Sequence, residues 1–319
     1  MKNYFAGTIK RLVGSRLRIK FIIIFVSIAV LPMLFLGSIA LYLLAESHAK
    51  DVSALEVQLI NQKTEEISKF FADTLSILEL KVSFTQKSII APAEQGFILD
   101  GLFSENASFK EVSLIDLAGM ETSKRERGVS SPKLKNVSLL PYFTSALSGK
   151  KYVSEVYQTA EGPAMTISSP VINRNGDIVQ ILAAEVSLQS LATSISGSRA
   201  GTSGMLYVTD SSGRIIAGRH FGRDFRGVDV SGDERVKAVL GGTLFSGLLP
   251  EDRFRSFILG ELVVGAGKKI SGPNWGVFVE WPVTDADAVL NEVRGQVVSF
   301  AWAGILIMLL LAPLFAARF

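Results

Sequence analysis

The chain has 319 residues and a formal net charge of +3, from 33 Lys and Arg against 30 Asp and Glu. It contains no cysteine, which excludes disulfides, thiolate nucleophiles and cysteine metal sites. The excess of cations sits in one terminal segment, and no basic face with interleaved aromatics marks a nucleic-acid binder.

Lys2, Lys10, Arg11, Arg16, Arg18 and Lys20 lie in residues 1–20, where there is no acid. From Phe21 to Ala45 there are 25 residues without a charge, rich in Ile, Val, Leu and Phe. That is enough to cross about 30 Å of hydrocarbon as a helix. A cleaved signal peptide has an apolar core of roughly 7–15 residues and a small-residue cleavage site, so residues 21–45 are expected to be an uncleaved transmembrane helix. A second uncharged run, Gln296 to Ala317, lies between Arg294 and Arg318 and predicts a second span over 296–317. Positive residues stay in the cytoplasm. Both termini are therefore expected inside the cell membrane and residues 46–296 outside, which in a bacterium means the periplasm or the exterior.

Residues 46–90 read as one long stalk helix. Val52, Leu55, Leu59, Ile60, Ile67, Phe70, Phe71, Leu75 and Leu78 recur at spacings of three and four, with no Gly or Pro before Pro92. An exposed amphipathic helix of this length wants a partner for its apolar face, and a homodimer is expected on that ground. A stripe packed wholly on the chain's own sheet would remove the reason.

From about residue 91 the pattern changes to short apolar strands separated by Gly, Asn, Asp and Ser turns. "KEVSLIDLAG" is a strand ending in an Asp/Gly turn, and "YFTSALSGKKYVSEVYQ" a short helix followed by a strand. "PAMTISSPVINRNGDIVQILAAEVSL" is a hairpin, closed by Asn-Gly and Gly-Asp pairs that tolerate positive φ. "QSLATSIS" is a helix, "SGMLYVTDSSGRIIAGR" a second hairpin, and "DERVKAVLGG" another helix. "FRSFILGELVVGAGKKI" and "WGVFVEWPV" are strands, and "DADAVLNEVRGQ" leads as a helix into the second span. "LIDLAGM" and "YVTDSSGRI" occupy comparable places in two successive units, a weak internal repeat. Strand runs with helices set apart give an α+β fold of antiparallel sheets.

Catalytic constellations are nearly absent. The two histidines, His48 and His220, belong to no spaced metal set, and no Gly-x-Ser-x-Gly elbow accompanies His220. "GELVVGAGKK" fails as a phosphate loop, because Ala266 stands where lysine belongs and Ile270 follows Lys269. The "SKRERG" cluster, Ser123 to Gly128, is either a solvated turn or an anion-attracting rim. No enzyme activity, metal or cofactor is expected. The residue that asks for a reason is Glu185, a single acid in an otherwise apolar strand, since a buried carboxylate is costly unless paired.

"YVSEVYQTAEGPAMTISSPVINRNGDIVQILAAEVSLQSL", followed by "GTSGMLYVTDSSGRIIAGR", closely resembles the double Cache sensor domains of bacterial transmembrane receptors. These carry a Tyr, a Ser-x-Pro-Val strand, Asp-x-x-Gly and an apolar strand ending in an acid, then a Gly-x-x-Gly opening and a second Asp-x-x-Gly hairpin. The resemblance covers residues 46–290. It implies a stalk helix and two PAS-like lobes, membrane-distal over 91–190 and membrane-proximal over 191–290, with a small-molecule ligand in the distal lobe. "LAPLFAARF" resembles the start of a HAMP linker, which implies that the second span signals to an output module, histidine kinase foremost, outside these residues.

The amino-acid-binding branch of that family carries a Tyr, an Arg-x-Trp, a later Tyr and a strand Asp. Leu140-Pro141-Tyr142 resembles the Arg-x-Trp stretch with Leu140 in place of the arginine. Tyr157 matches the later tyrosine, Glu185 the aspartate, and Lys135 stands near the first tyrosine. The resemblance thus makes Tyr142, Tyr157 and Glu185 candidate ligand-binding residues, with Glu185 meeting an ammonium. The alternative is a Glu185 that faces solvent or pairs with Arg174. Lys124, Arg125 or Lys135 is the candidate for a ligand carboxylate. The ligand expected is an amine, an amino-acid-like compound or an organic acid.

Overall fold

A computed structural model of the chain describes residues 2–84, 92–246 and 253–316. Helix α1 (Lys2–Phe84) includes Pro32, and residues 85–90 of the expected stalk lie outside the described residues. The chain divides into two compact units, Ser53–Val283 and Met1–Val52 with Thr284–Phe319.

In the larger unit α1 is followed by α2 (Pro92–Glu105), β1 (Phe109–Ile115), β2 (Glu121–Glu126), α3 (Pro141–Leu147) and β3 (Tyr152–Val153). Strands β4 (Tyr157–Thr159), β5 (Gly162–Ile172) and β6 (Ile178–Ser187) complete a six-stranded sheet of order β2-β1-β6-β5-β3, with β4 on β5. After α4 (Gln189–Gly197) come β7 (Met205–Thr209), β8 (Ile215–His220), β9 (Arg223–Asp224), α5 (Glu234–Leu240), β10 (Phe245–Ser246), β11 (Phe254–Arg255), β12 (Leu262–Lys269) and β13 (Gly276–Pro282). These make a seven-stranded sheet of order β10-β12-β13-β7-β8-β9, with β11 on β12. The pairings are antiparallel. The class is α+β, a long N-terminal helix with two antiparallel sheets, here called the first and second lobes.

The internal repeat is visible in the turns. Asp116 Oδ1 accepts the N–H groups of Ala118 (2.9 Å) and Met120 (2.8 Å) between β1 and β2. Asp210 Oδ1 does the same for Ser212 and Arg214, both at 2.9 Å, between β7 and β8. Each turn ends on a glycine at positive φ, Gly119 at 83° and Gly213 at 85°. Each glycine carbonyl then accepts an N–H from a crossing segment, that of Val137 or Val230. A Cβ on Gly119 would sit 2.5 Å from Ser138 Cα. Gly119→Ala is therefore expected to lower the melting temperature, by strain of about 1–3 kcal/mol; an unchanged melt would show that the crossing segment yields freely.

Along α1 the buried residues are Val52, Ser53, Glu56, Ile60, Lys63, Thr64, Ile67, Phe71, Thr74 and Leu78, one helical face. Phe71 meets Trp275 edge-to-face at 4.8 Å. Lys63 Nζ donates to Glu66 Oε2 (2.7 Å) and to Ser194 Oγ (2.9 Å) of α4, and Ser194 donates on to Glu66 Oε1 (2.7 Å). Gln58, Asn61, Gln62, Glu65, Lys69 and Asp73 fill the exposed face. Val52, Ile60, Ile67, Phe71 and Leu78 of the apolar stripe are thus packed within the chain, while Leu55 is 56% exposed and Leu59, Phe70 and Leu75 are half-buried, so part of the stripe stays open. Residues 92–105 were expected to begin the strand region but form α2, with Leu99 and Leu102 fully buried. Pro92 stands at its start, where a fixed φ and a missing N–H cost nothing.

In the smaller unit, α6 (Val283–Ala286) precedes α7 (Ala288–Ala316), and α7 lies along the N-terminal part of α1. The approach is close at Gly304, where a Cβ would be 3.2 Å from Met33 Sδ, while a Cβ on Gly37 would meet Val297 Cγ1 at an ordinary 3.8 Å. His48 Nε2 donates to the Ala286 carbonyl at 2.7 Å. Among the described residues one helix, part of α1 near the N-terminus, is long and apolar enough to cross a membrane, with a mean hydropathy of 2.3 over its best 18 residues and none of them buried. On α7 the apolar side chains of Phe300, Trp302 and Leu310 are exposed as well. Residue 317 of the expected second span lies outside the described residues.

Candidate ligand-binding face of the first lobe

Strand register decides which side chains share a face, because successive residues point to opposite sides. Val112, Leu114, Leu182, Ala184 and Val186 point to one side and are fully buried; α2 packs on β1 and β2. Glu111, Ser113 and Ile115 of β1 point to the other, opposite Glu185, Ala183 and Ile181 of β6. Thr166 and Ser168 of β5 lie across from Glu185 and Ala183, and Lys124 of β2 across from Ser113. This second face is apolar at one end, where Ile115, Val137, Phe143, Ala146, Ile181 and Ala183 form a cluster with half-buried Tyr142 against it. The other end is polar.

At the polar end Tyr157 donates its phenol hydrogen to Glu185 Oε2 at 2.9 Å and lies 2.8 Å from Thr166 Oγ1. Burial, with Glu185 and Glu111 nearby, pushes the Tyr157 phenol well above its ordinary range, against the hydrogen bond to Thr166. It stays a neutral donor. Lys124, with its side chain 2% exposed, is held by Glu111 Oε1 at 2.6 Å and Glu121 Oε1 at 3.5 Å. Burial works against the ammonium, but the two carboxylates outweigh it and raise its pKa. Glu121 is buried and also accepts the backbone N–H of Lys135 at 2.8 Å. Tyr142 is pushed up to about 12, by burial first and then by Glu121 and Glu111. Ser168 Oγ donates to its carbonyl at 2.7 Å.

The structure therefore brings Tyr142, Tyr157, Glu185 and Lys124 to one face. It does not bring Arg125 there: as the neighbour of Lys124 on β2 it points to the opposite side, where Asp100 of α2 receives its Nε at 2.7 Å. Lys135 is exposed on the segment that crosses β2, and its backbone is what meets the face. Glu111, Glu121, Thr166 and Ser168 were not anticipated. The alternation of Glu111 and Ser113 with Val112 and Leu114 is the sequence signal for the first of them. Two grooves, of about 600 and 240 Å³, lie elsewhere, between the β4–β5 hairpin, α4 and β9. In both, Asp224 and Arg226 pair with each other at 2.6 Å; Glu161 lines the larger groove and Arg219 the smaller.

The second lobe carries the same pairing in closed form. Tyr207 donates to Glu280 Oε1 at 2.9 Å, and Ser256 donates to Glu280 Oε2. Burial raises both the Glu280 carboxyl and the Tyr207 phenol. Tyr207 stacks on Phe278 at 5.0 Å, inside a cluster with Met205, Ile215, Phe225, Val230, Val236 and Val239. Among the described residues, side chains fill the core around this pair.

No family model and no curated protein matches the sequence. Solved structures share its fold. The periplasmic sensory domain of a Campylobacter jejuni chemoreceptor aligns over 75% of this chain and 98% of its own, at TM-score 0.57 and 12% identity. The ligand-binding domain of another Campylobacter jejuni chemoreceptor, in complex with L-norvaline, aligns over 77% and 94%, at 0.58 and 15%. That of a Pseudomonas aeruginosa PAO1 amino acid chemoreceptor, in complex with GABA, aligns over 72% and 98%, at 0.55 and 15%. The two antiparallel lobes on a long helix are the fold that these domains share. At these identities the likeness is one of fold.

Proposed function

We propose that residues 46–296 are the extracytoplasmic small-molecule sensor of a two-span bacterial receptor, with the ligand held on the polar face of the first lobe. The observation that carries this reading is the contrast between the lobes. Each has a Tyr–Glu hydrogen bond, but in the second both residues are sealed in a filled core, whereas Tyr157 and Glu185 are only half-buried on a face of mixed polar groups. The solved domains in complex with L-norvaline and GABA support a small molecule as the occupant. The uncharged runs at 21–45 and 296–317, the basic N-terminus and the exposed apolar side chains of α7 support two spans with both termini in the cytoplasm.

The route for the signal runs through β6. Glu185 is near its end, α4 begins at Gln189, and Ser194 of α4 is tied to Lys63 and Glu66 of α1. A ligand that draws Glu185 inward would move α4 and, with it, α1. The second span would carry the displacement to a cytoplasmic output module, with a HAMP linker and histidine kinase as the fitting partners. The ligand moves that equilibrium only as far as it prefers one state.

The test is a thermal-shift screen of the full chain in detergent against amino acids, amines and organic acids. A ligand at 100 times its Kd adds about 2.7 kcal/mol of stability. We expect at least one compound to raise the melt and Glu185→Ala to abolish that rise. A flat response across the screen would point to a protein as the partner and remove the site.

A further inference from the structure

We infer that the first-lobe face takes a ligand carrying an ammonium group and no carboxylate. This rests on the sensor reading above and narrows it to a ligand class. Two amino-acid ends need two receptors of opposite charge, and the face has a free one of only one sign.

Apart from exposed Lys135, the cations near the face are already committed. Lys124 is enclosed between Glu111 and Glu121 with its side chain 2% exposed. Arg125 lies on the opposite side with Asp100. Arg127 spends its guanidinium on the carbonyls of Phe109 (2.7 Å) and Phe103 (2.9 Å). Lys110 is ion-paired with Glu161. Lys135 is exposed, and a hydrated ammonium on a flexible stem is a poor carboxylate receptor beside a fixed guanidinium.

The anions are in surplus. Glu111, Glu121 and Glu185 share the face with the single ammonium of Lys124. Glu111 and Glu185 are direct cross-strand partners, and like charges so placed destabilise a sheet. Lys124 answers Glu111, while among the described residues Glu185 receives only the neutral phenol of Tyr157. One more ammonium, with three hydrogens to give, would bridge the Glu185 and Glu111 oxygens and relieve the repulsion. A ligand carboxylate in the same space would meet carboxylates with no free guanidinium to receive it. Beyond the polar end, half-buried Tyr142 and the apolar cluster it packs against offer apolar surface to the remainder of such a ligand.

Four probes of equal chain length separate the cases on the full chain in detergent, by calorimetric titration: butylamine, 1,4-diaminobutane, 4-aminobutyrate and butyrate. We expect both amines to bind at least tenfold more tightly than 4-aminobutyrate, and butyrate not to bind. Glu185→Gln, which keeps an acceptor for Tyr157, should weaken the amines at least tenfold while the ligand-free melt stays within a few degrees. Binding of 4-aminobutyrate or butyrate as tight as that of butylamine overturns the ligand class and leaves the sensor reading in place. Failure of both amines to bind overturns the class as well, and the wider screen then decides whether the sensor reading falls with it.

Discussion

Raising the pH through the neutral range is expected to destabilise this chain, and Glu56→Gln to remove most of that loss. Glu56 lies on the buried face of α1, 1% exposed, and among the described residues neither of its carboxylate oxygens has a hydrogen-bond partner. Burial alone pushes its carboxyl up to about 8. The folded chain therefore keeps the proton up to that pH, while the unfolded chain releases it from about 4.5. Above the lower value the unfolded state binds fewer protons, so stability falls as pH rises and levels off once the folded carboxyl has ionised. At about 1.4 kcal/mol per pH unit the loss over the window is on the order of 5 kcal/mol. Glu280, also raised by burial, leaves a residual slope of the same sign. The measurement is the melting temperature of wild type and Glu56→Gln at a series of pH values. Equal slopes would mean that Glu56 is solvated or paired in solution.

Phe71→Ala is expected to cost about 3–5 kcal/mol, the range for removing a fully packed phenylalanine. Phe71 is 5% exposed and its ring meets that of Trp275 edge-to-face, so the substitution opens a cavity where the stalk docks on the start of β13. It should lower the melting temperature by many degrees and expose Trp275 to water, seen as a red shift of its emission. Phe70→Ala, at a half-buried position, should do far less. If the two variants behave alike, α1 is not seated on the second lobe by this residue.

Much of this fold was legible because its turns announce themselves. Asn173 Oδ1 accepts the N–H groups of Asn175 and Asp177, both at 2.9 Å, and Gly176 takes φ 92°. That is local chemistry, and the residues spell it out. Helix α2 was missed because Pro92 was read as the end of a pattern, when proline is as much at home in a first helical turn. The site was legible in part. Glu185 stood out as one acid in an apolar strand, but Glu280 gave the same signal in "WGVFVEWPV" and proves to be sealed in a core. What separates them is the neighbourhood, filled around Glu280 and polar around Glu185, and that is set by packing between distant segments. Lys124 and Arg125 make the same point. They are adjacent in sequence, yet the pleat sends one to the face and the other to Asp100, and a shift of one residue in register would exchange them.

The most direct test of a ligand site in the first lobe is amide hydrogen exchange on the full chain. It would compare the free chain with the chain in a mixture of the protein amino acids, butylamine and 1,4-diaminobutane. Slowed exchange in β1, β2 and β4–β6, residues 109–126 and 157–187, with the filled second lobe little changed, is the expected result. Exchange that is unaltered throughout, or slowed only in residues 205–282, would contradict it.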